Sequence, residues 1–155
     1  MHTAHVDLVS HWHIPAPVEQ VWAALSDPRG WVEWWPQVRS VRLMAPGDAQ
    51  GHGRVHAIRW SAGLPHELAL DWDAIEILPP ERLRSRSAGA VNGEGIWLLR
   101  ADGARTDVTS VWRVEPRHPA TRWLLPLLAP WWRGLHARVM RDGEAGLTRR
   151  LRSRP

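Results

Sequence analysis

Residues 120–150 read as one long amphipathic helix, and this stretch constrains the fold more than any other. At the helical period Leu128, Trp132, Leu135, Val139, Gly143 and Gly146 fall on one stripe, with Leu125 and His136 on its flank. Arg133, Arg138, Arg141 and Glu144 lie mostly away from it. A stripe of that length needs an extended apolar partner. The preceding residues, 3–115, carry the period of short strands and only two short helices, so the partner is a single curved sheet and the class is α+β.

The strand signal begins at once. Val6, Leu8, Ser10, Trp12 and Ile14 alternate with His5, Asp7, Val9, His11 and His13. Pro15-Ala16-Pro17 then opens a helix through Val18, Val21, Trp22 and Leu25, which Asp27-Pro28 ends, and Gly30 to Trp35 forms a second short helix closed by Pro36. Six further strands are expected at 38–44, 54–61, 67–78, 82–87, 93–100 and 105–115, separated by Pro- and Gly-containing turns, and their spacing suits an antiparallel meander. Leu68, Leu70, Trp72 and Ala74, with Val108, Ser110, Trp112 and Val114, are the candidates for the inner, helix-facing surface. Charges of both signs occupy the other face, including Arg59, Glu67, Asp71, Asp73, Arg84, Arg86, Arg100, Asp107 and Arg113.

At 155 residues the chain is read as one domain, 1–155, with 151–155 frayed. It holds twelve Trp but no Phe or Tyr, and no Lys: all twenty basic residues are Arg, a pattern we attribute to coding bias. The pI of 11.2 reflects the lack of groups titrating between His and Arg, since the net charge is only +4, and no basic helix with interleaved aromatics supports nucleic-acid binding. Without Cys there is no disulfide or thiol chemistry. The first residues lack the pattern of a secretory signal and no apolar run reaches the ~20 residues of a membrane span, so a cytoplasmic location is expected.

His136 is the polar side chain of most interest, because it sits at the edge of the sheet-facing stripe. A hydrogen bond to a neighbouring strand is the favoured reading over a ligand contact. Asp142 lies near the same stripe and is expected in an interfacial salt bridge. His11 and His13 share a strand face as two metal ligands would, yet no third ligand is evident and the face is outward, so no metal site and no cofactor are assigned. Gly51-His52-Gly53 reads as a turn. The run 123–131 is too apolar for a simple loop, and Pro126 and Pro130 argue against regular helix throughout. It is read as a cover for the core, with a lid or a transient membrane-surface contact as alternatives.

Particular stretches carry a family likeness. Ile14-Pro15-Ala16-Pro17 into Val21-Trp22-Ala23-Ala24-Leu25-Ser26-Asp27-Pro28, then Trp31 through Trp34-Trp35-Pro36-Gln37-Val38, resemble the two early helices of the START-like, or SRPBCC, superfamily. Arg105-Thr106-Asp107-Val108 into Trp112-Arg113-Val114 resembles its last strand. Leu128-Ala129-Pro130, His136 and Val139-Met140 through Gly143-Glu144-Ala145-Gly146-Leu147 resemble the closing helix of members labelled polyketide cyclase/dehydrase. The resemblance implies the helix-grip fold, a curved seven-stranded antiparallel sheet wrapped around the C-terminal helix. It brings no invariant catalytic set with it.

The expected function is enclosure of a small hydrophobic molecule, a lipid, quinone, aromatic or polyketide-like compound, in a cavity of a few hundred Å³ between sheet and helix. From the sheet Trp12, Trp72, Ser85, Trp97, Ser110 and Trp112 are expected to line it. From the helix Leu128, Trp132, Leu135, His136 and Val139 are expected. One alternative is a cyclase or dehydratase using the same cavity, with His136 and Ser110 or Ser85 as the candidates to move protons. Another is an interaction module whose cavity is filled by its Trp residues.

Overall fold

The structure is a computed structural model that describes residues 5–153 apart from 116–120. Strand β1 (Val6–Ile14) leads into helix α1 (Val18–Ser26), a 3-10 turn (Pro28–Gly30) and helix α2 (Trp31–Trp34). Strands β2 (Val38–Ala45), β3 (Val55–Trp60), β4 (Leu68–Leu78), β5 (Arg82–Gly89), β6 (Asn92–Asp102) and β7 (Arg105–Glu115) precede the 32-residue helix α3 (Thr121–Arg152). The seven strands form one antiparallel sheet in the order β1-β7-β6-β5-β4-β3-β2. The meander is therefore β2 to β7, and β1 closes onto its last strand. With the two short helices after β1 and α3 against the sheet, this is the helix-grip arrangement.

Alternation decides which face each strand buries. Val6, Leu8, Trp12 and Ile14 of β1 are buried while His11 and His13 are exposed, and Leu70, Trp72 and Ala74 of β4 are buried toward α3. The opposite face carries ion pairs: Arg84 contacts both Glu76 and Glu94, and Arg113 Nε donates to Asp7 Oδ1 at 3.0 Å. The corner between β1 and α1 is fixed by the buried Thr106 hydroxyl, which donates to the Ala16 carbonyl at 2.8 Å. Asp27 starts the 3-10 turn by accepting from the Arg29 amide at 3.3 Å.

Indoles build the centre of the core. Trp12 lies edge-on to Trp35 and Trp97, with centroids 5.5 and 5.3 Å apart, and Trp34 stacks on Trp35 at an interplanar angle of 16°. Edge-to-face pairs of this kind contribute about 0.5–1.5 kcal/mol beyond simple burial. Two indole N–H groups also tie elements together. Trp31 Nε1 donates to the Ala24 carbonyl at 3.1 Å and Trp35 Nε1 to the Val139 carbonyl at 2.9 Å, the latter joining α2 to α3.

Two expectations about α3 are corrected. The helix runs without interruption through Pro126 and Pro130, which forgo the amide donors of those two positions but do not end it. Its sheet-facing stripe follows the projected one from Trp132 through Leu135, Val139 and Gly143 to Gly146, with Leu128 as the exception. Ala129, Met140, Gly143, Gly146 and Leu147 are buried, with Leu125, Trp132 and Val139 packed against the core, whereas Leu128 is turned outward and 41% exposed. The N-terminal third is apolar on all sides, so periodicity there could not select one face. Nor do residues 123–131 simply cover the core, since Trp123 is 86% and Leu127 77% exposed. No described helix is long and apolar enough to cross a membrane.

Gly143 and Gly146 let α3 lie directly on α2. A Cβ at Gly143 would stand 2.6 Å from Trp35 Cε2, and one at Gly146 would overlap the Trp34 carbonyl oxygen. Gly146→Ala is therefore expected to lower stability by about 1–3 kcal/mol through overpacking, outweighing the ~1 kcal/mol that Ala gains in helix propensity. Gly134→Ala, with open space around the new methyl, should instead stabilise by up to about 1 kcal/mol. Urea unfolding of the two variants should show opposite signs, and a stabilised Gly146→Ala protein would mean that α3 is not seated in this way.

Candidate functional site

Between α3 and the inner face of β3 to β7 lies a cavity of about 140 Å³. Its walls include seven of the twelve Trp residues: Trp31 and Trp35 from α2 and its end, Trp60, Trp72, Trp97 and Trp112 from the sheet, and Trp132 from α3. Ile58, Leu68, Leu70, Leu135, Val139 and Met140 complete most of the apolar surface. The space is below the few hundred Å³ expected from sequence because these indoles project into it. An apolar cavity of about 150 Å³ is nonetheless enough to stay dry and accept benzene.

The floor is shaped by residues without side chains. Ser85, Gly95 and Trp112 stand in one cross-strand row, and Ser87, Gly93 and Val114 in the next. The Trp112 indole crosses β6 over the two glycines and donates through Nε1 to Ser87 Oγ at 3.2 Å, and that hydroxyl in turn reaches the Gly93 carbonyl at 3.4 Å. A Cβ at Gly93 would fall 2.7 Å from Trp112 Nε1, so Gly there is what allows the indole to lie flat.

Besides the indole N–H groups, three polar side chains remain free within this apolar surround. Ser85 and Ser110 are buried, and neither they nor His136 have a hydrogen bond among the described residues. His136 faces Trp112, with ring centroids 6.0 Å apart, rather than bonding to a strand as expected. Burial pushes its imidazole down to about 4, so the ring is neutral at pH 7 and presents one donor and one acceptor nitrogen. Among the described residues it is the only ionisable side chain in the cavity wall.

Of the residues singled out by sequence, Trp72, Ser85, Trp97, Ser110, Trp112, Trp132, Leu135, His136 and Val139 come together around this space. Trp12 does not, being packed among Trp34, Trp35 and Trp97, and Leu128 faces away. Asp142 accepts from Gln37 Nε2 at 2.7 Å instead of forming a salt bridge. His13 pairs with Asp107 and His11 with Thr109 on the outer face. The sequence reading missed Ser87 and Gly95, although strict alternation from Ser85 and from Trp97 places both on the inner face. It also missed Trp31 and Trp35, whose i, i+4 spacing gave the signal. His56 is buried beside Trp72 with neither ring nitrogen hydrogen-bonded among the described residues, and burial lowers its basicity as well, partly opposed by Asp27. Among the described residues no group of three or more His, Asp or Glu is placed to hold a metal ion.

A sheet closed over a long helix with an apolar chamber between them defines the START-like class of fold. Residues 5–152 match the family model described as polyketide cyclase/dehydrase and lipid transport, and the chain belongs to that family. Solved structures with the same fold include a START superfamily protein from Mycobacterium smegmatis, with a TM-score of 0.76, 13% identity, and coverage of 96% of this chain and 98% of that one. The Zhui aromatase/cyclase from Streptomyces sp. R1128 superposes with a TM-score of 0.72 at 17% identity, covering 98% of both chains. A protein from Thermus thermophilus gives 0.70 at 20% identity, covering 92% of this chain and 97% of that one. Identities this low establish the fold alone. No curated protein matches the chain in sequence.

His136 gives the site a signature in stability. Its basicity is depressed on folding, so the unfolded chain binds a proton first as pH falls. The stability associated with the neutral ring is complete above pH ~6.5 and is lost as pH falls toward 4, by about 3 kcal/mol at the acid end. His136→Leu should flatten the pH dependence of urea unfolding in this window, leaving the smaller slope due to His56. An unchanged slope would place the imidazole in contact with water.

Proposed function

We propose that the protein binds a small, uncharged hydrophobic molecule of one or two rings in the chamber between sheet and α3. The observation that carries this reading is the composition of the wall: an almost wholly apolar lining in which, besides the indoles, Ser85, Ser110 and His136 are free to hydrogen-bond. Burial of ligand surface supplies affinity at about 25 cal/mol per Å², and the free groups orient a carbonyl or hydroxyl. Nothing in the wall balances a carboxylate or phosphate, which would lose its hydration on entry without gaining an opposite charge. The limited volume and the absence of a cation both favour a ketone, quinone or phenol over a phospholipid.

Cyclase or dehydratase chemistry is the second reading, favoured by the free His136 nitrogen beside a polar wall and by the aromatase/cyclase of the same fold. General acid–base catalysis works best when the group titrates near the working pH. An imidazole near 4 is a weak base at pH 7, and this ranks binding above turnover.

Indole fluorescence offers a direct test, because seven Trp residues surround the space. 2-Acetylnaphthalene and naphthalene should quench it saturably, while 2-naphthoate, similar in size but anionic, should bind at least tenfold more weakly. Ser85→Ala and Ser110→Ala should each weaken 2-acetylnaphthalene by about fivefold to tenfold, the equivalent of a hydrogen bond near 1 kcal/mol, and leave naphthalene unaffected. Failure of both neutral probes to bind would remove the reading. Equal binding of the naphthoate would remove the requirement for neutrality.

A further inference from the structure

The first half of α3 presents a second apolar stripe, on the side away from the sheet. Trp123, Leu124, Leu127, Leu128 and Trp131 follow one another at helical spacing and are all exposed, Trp123 by 86% and Leu127 by 77%. Their contiguous surface is on the order of several hundred Å², as much as the largest patch of a typical monomer and usually functional. The back of the same helix segment carries Trp132, Leu135 and His136 into the chamber.

What covers the stripe is indicated by what surrounds it. From 121 to 141 the sequence contains four Arg and no Asp or Glu. Toward the C-terminus the outward face continues into Arg138 and Arg141, both exposed and neither in an ion pair among the described residues. Apolar insertion bordered by cations matches the boundary between acyl chains and anionic headgroups, with indoles at both ends of the stripe where amphipathic rings partition best. The prolines favour the same occupant. Pro126 and Pro130 lack the N–H that would satisfy carbonyls four residues earlier, and those acceptors need water, which a headgroup layer supplies and a dry helix–helix contact does not.

We propose that the outward stripe of α3 docks onto an anionic lipid bilayer, with Trp123, Leu127 and Trp131 inserted among the acyl chains and Arg138 and Arg141 against the headgroups. Docked in this way, the helix lies between the bilayer and the chamber. The proposal does not depend on what the chamber binds.

Flotation of the purified protein with vesicles tests it. Vesicles of phosphatidylcholine with phosphatidylglycerol should carry the protein, and vesicles of phosphatidylcholine alone should do so at least tenfold less well, with the difference suppressed by high salt. Leu127→Glu, at an exposed position outside the chamber wall, should reduce flotation by at least tenfold while retaining native circular dichroism and the same quenching by naphthalene. Arg138→Gln with Arg141→Gln should lose about fivefold per arginine on anionic vesicles only. Three results would overturn the proposal: no flotation of the wild-type protein, equal flotation of Leu127→Glu, or a concentration-dependent dimer that Leu127→Glu dissociates. The last would assign the stripe to a second copy of the chain. Absence of naphthalene quenching in every protein, with flotation intact, would instead count against the ligand reading alone.

Discussion

The seat of α3 on α2 is the contact on which the rest depends. Trp35 closes α2, stacks on Trp34, meets Trp12 and Trp97 edge-on and donates its indole N–H to the Val139 carbonyl. Gly143 and Gly146 remove the side chains that would hold the two helices apart. The distance between α3 and the sheet is thereby held at this end of the helix by the seat on α2, and toward the other end by Ala129, which packs in one cluster with Val6, Leu8 and Leu70. Its middle, from Trp132 to Met140, spans the chamber where side chains from both sides do not fully meet. A cavity persists because the helix is held by neighbours elsewhere, so collapse onto the sheet would break the Trp35 hydrogen bond and the close glycine packing together.

Much of this was readable from residue order. Period-two alternation points to the inner faces of β1, β4 and β7, since a one-residue shift would expose Trp12 and bury Asp7 in β1, expose Trp72 and bury Asp71 and Asp73 in β4, or bury Arg113 in β7. The charge row outside and the serines inside followed from the same rule. Helix phase was less legible. Between Trp123 and Trp132 nearly every residue is apolar, so the projection had no polar face to oppose and placed Leu128 inward. The prolines argue against regular helix because an isolated helix loses an amide donor at each, whereas α3 is stabilised by tertiary packing. Trp12 illustrates a different limit. It lies on the inner face as alternation requires, but whether an inner residue meets the chamber or another indole depends on packing in the third dimension.

Tryptophan as the sole aromatic has a structural cost that the core resolves unevenly. Each indole brings an N–H that wants an acceptor. Trp31, Trp35 and Trp112 find carbonyl or hydroxyl partners, and the Trp112 solution requires Gly93 of β6 to stay bare. Among the described residues Trp12 finds none, its Nε1 being buried without an acceptor, a deficit of about 1–3 kcal/mol by the usual cost of an unpaired donor. The site's polarity arises from the same shortage of partners. Ser87 is taken up by an indole, while Ser85 and Ser110 keep their hydroxyls available.

The irregular pairing of β2 has a consequence for the sheet's outer margin. Its register against β3 shifts between Val38 and Ser40 and again between Leu43 and Ala45, and it exposes Arg39 and Arg42. Such offsets twist a border strand and interrupt the even ladder of amides that another chain could extend, while the arginines repel a like-charged copy. At this edge, growth strand by strand is discouraged, so the margin formed by β2 is a poor template for fibres even in a molecule that keeps a broad apolar helix face in the open.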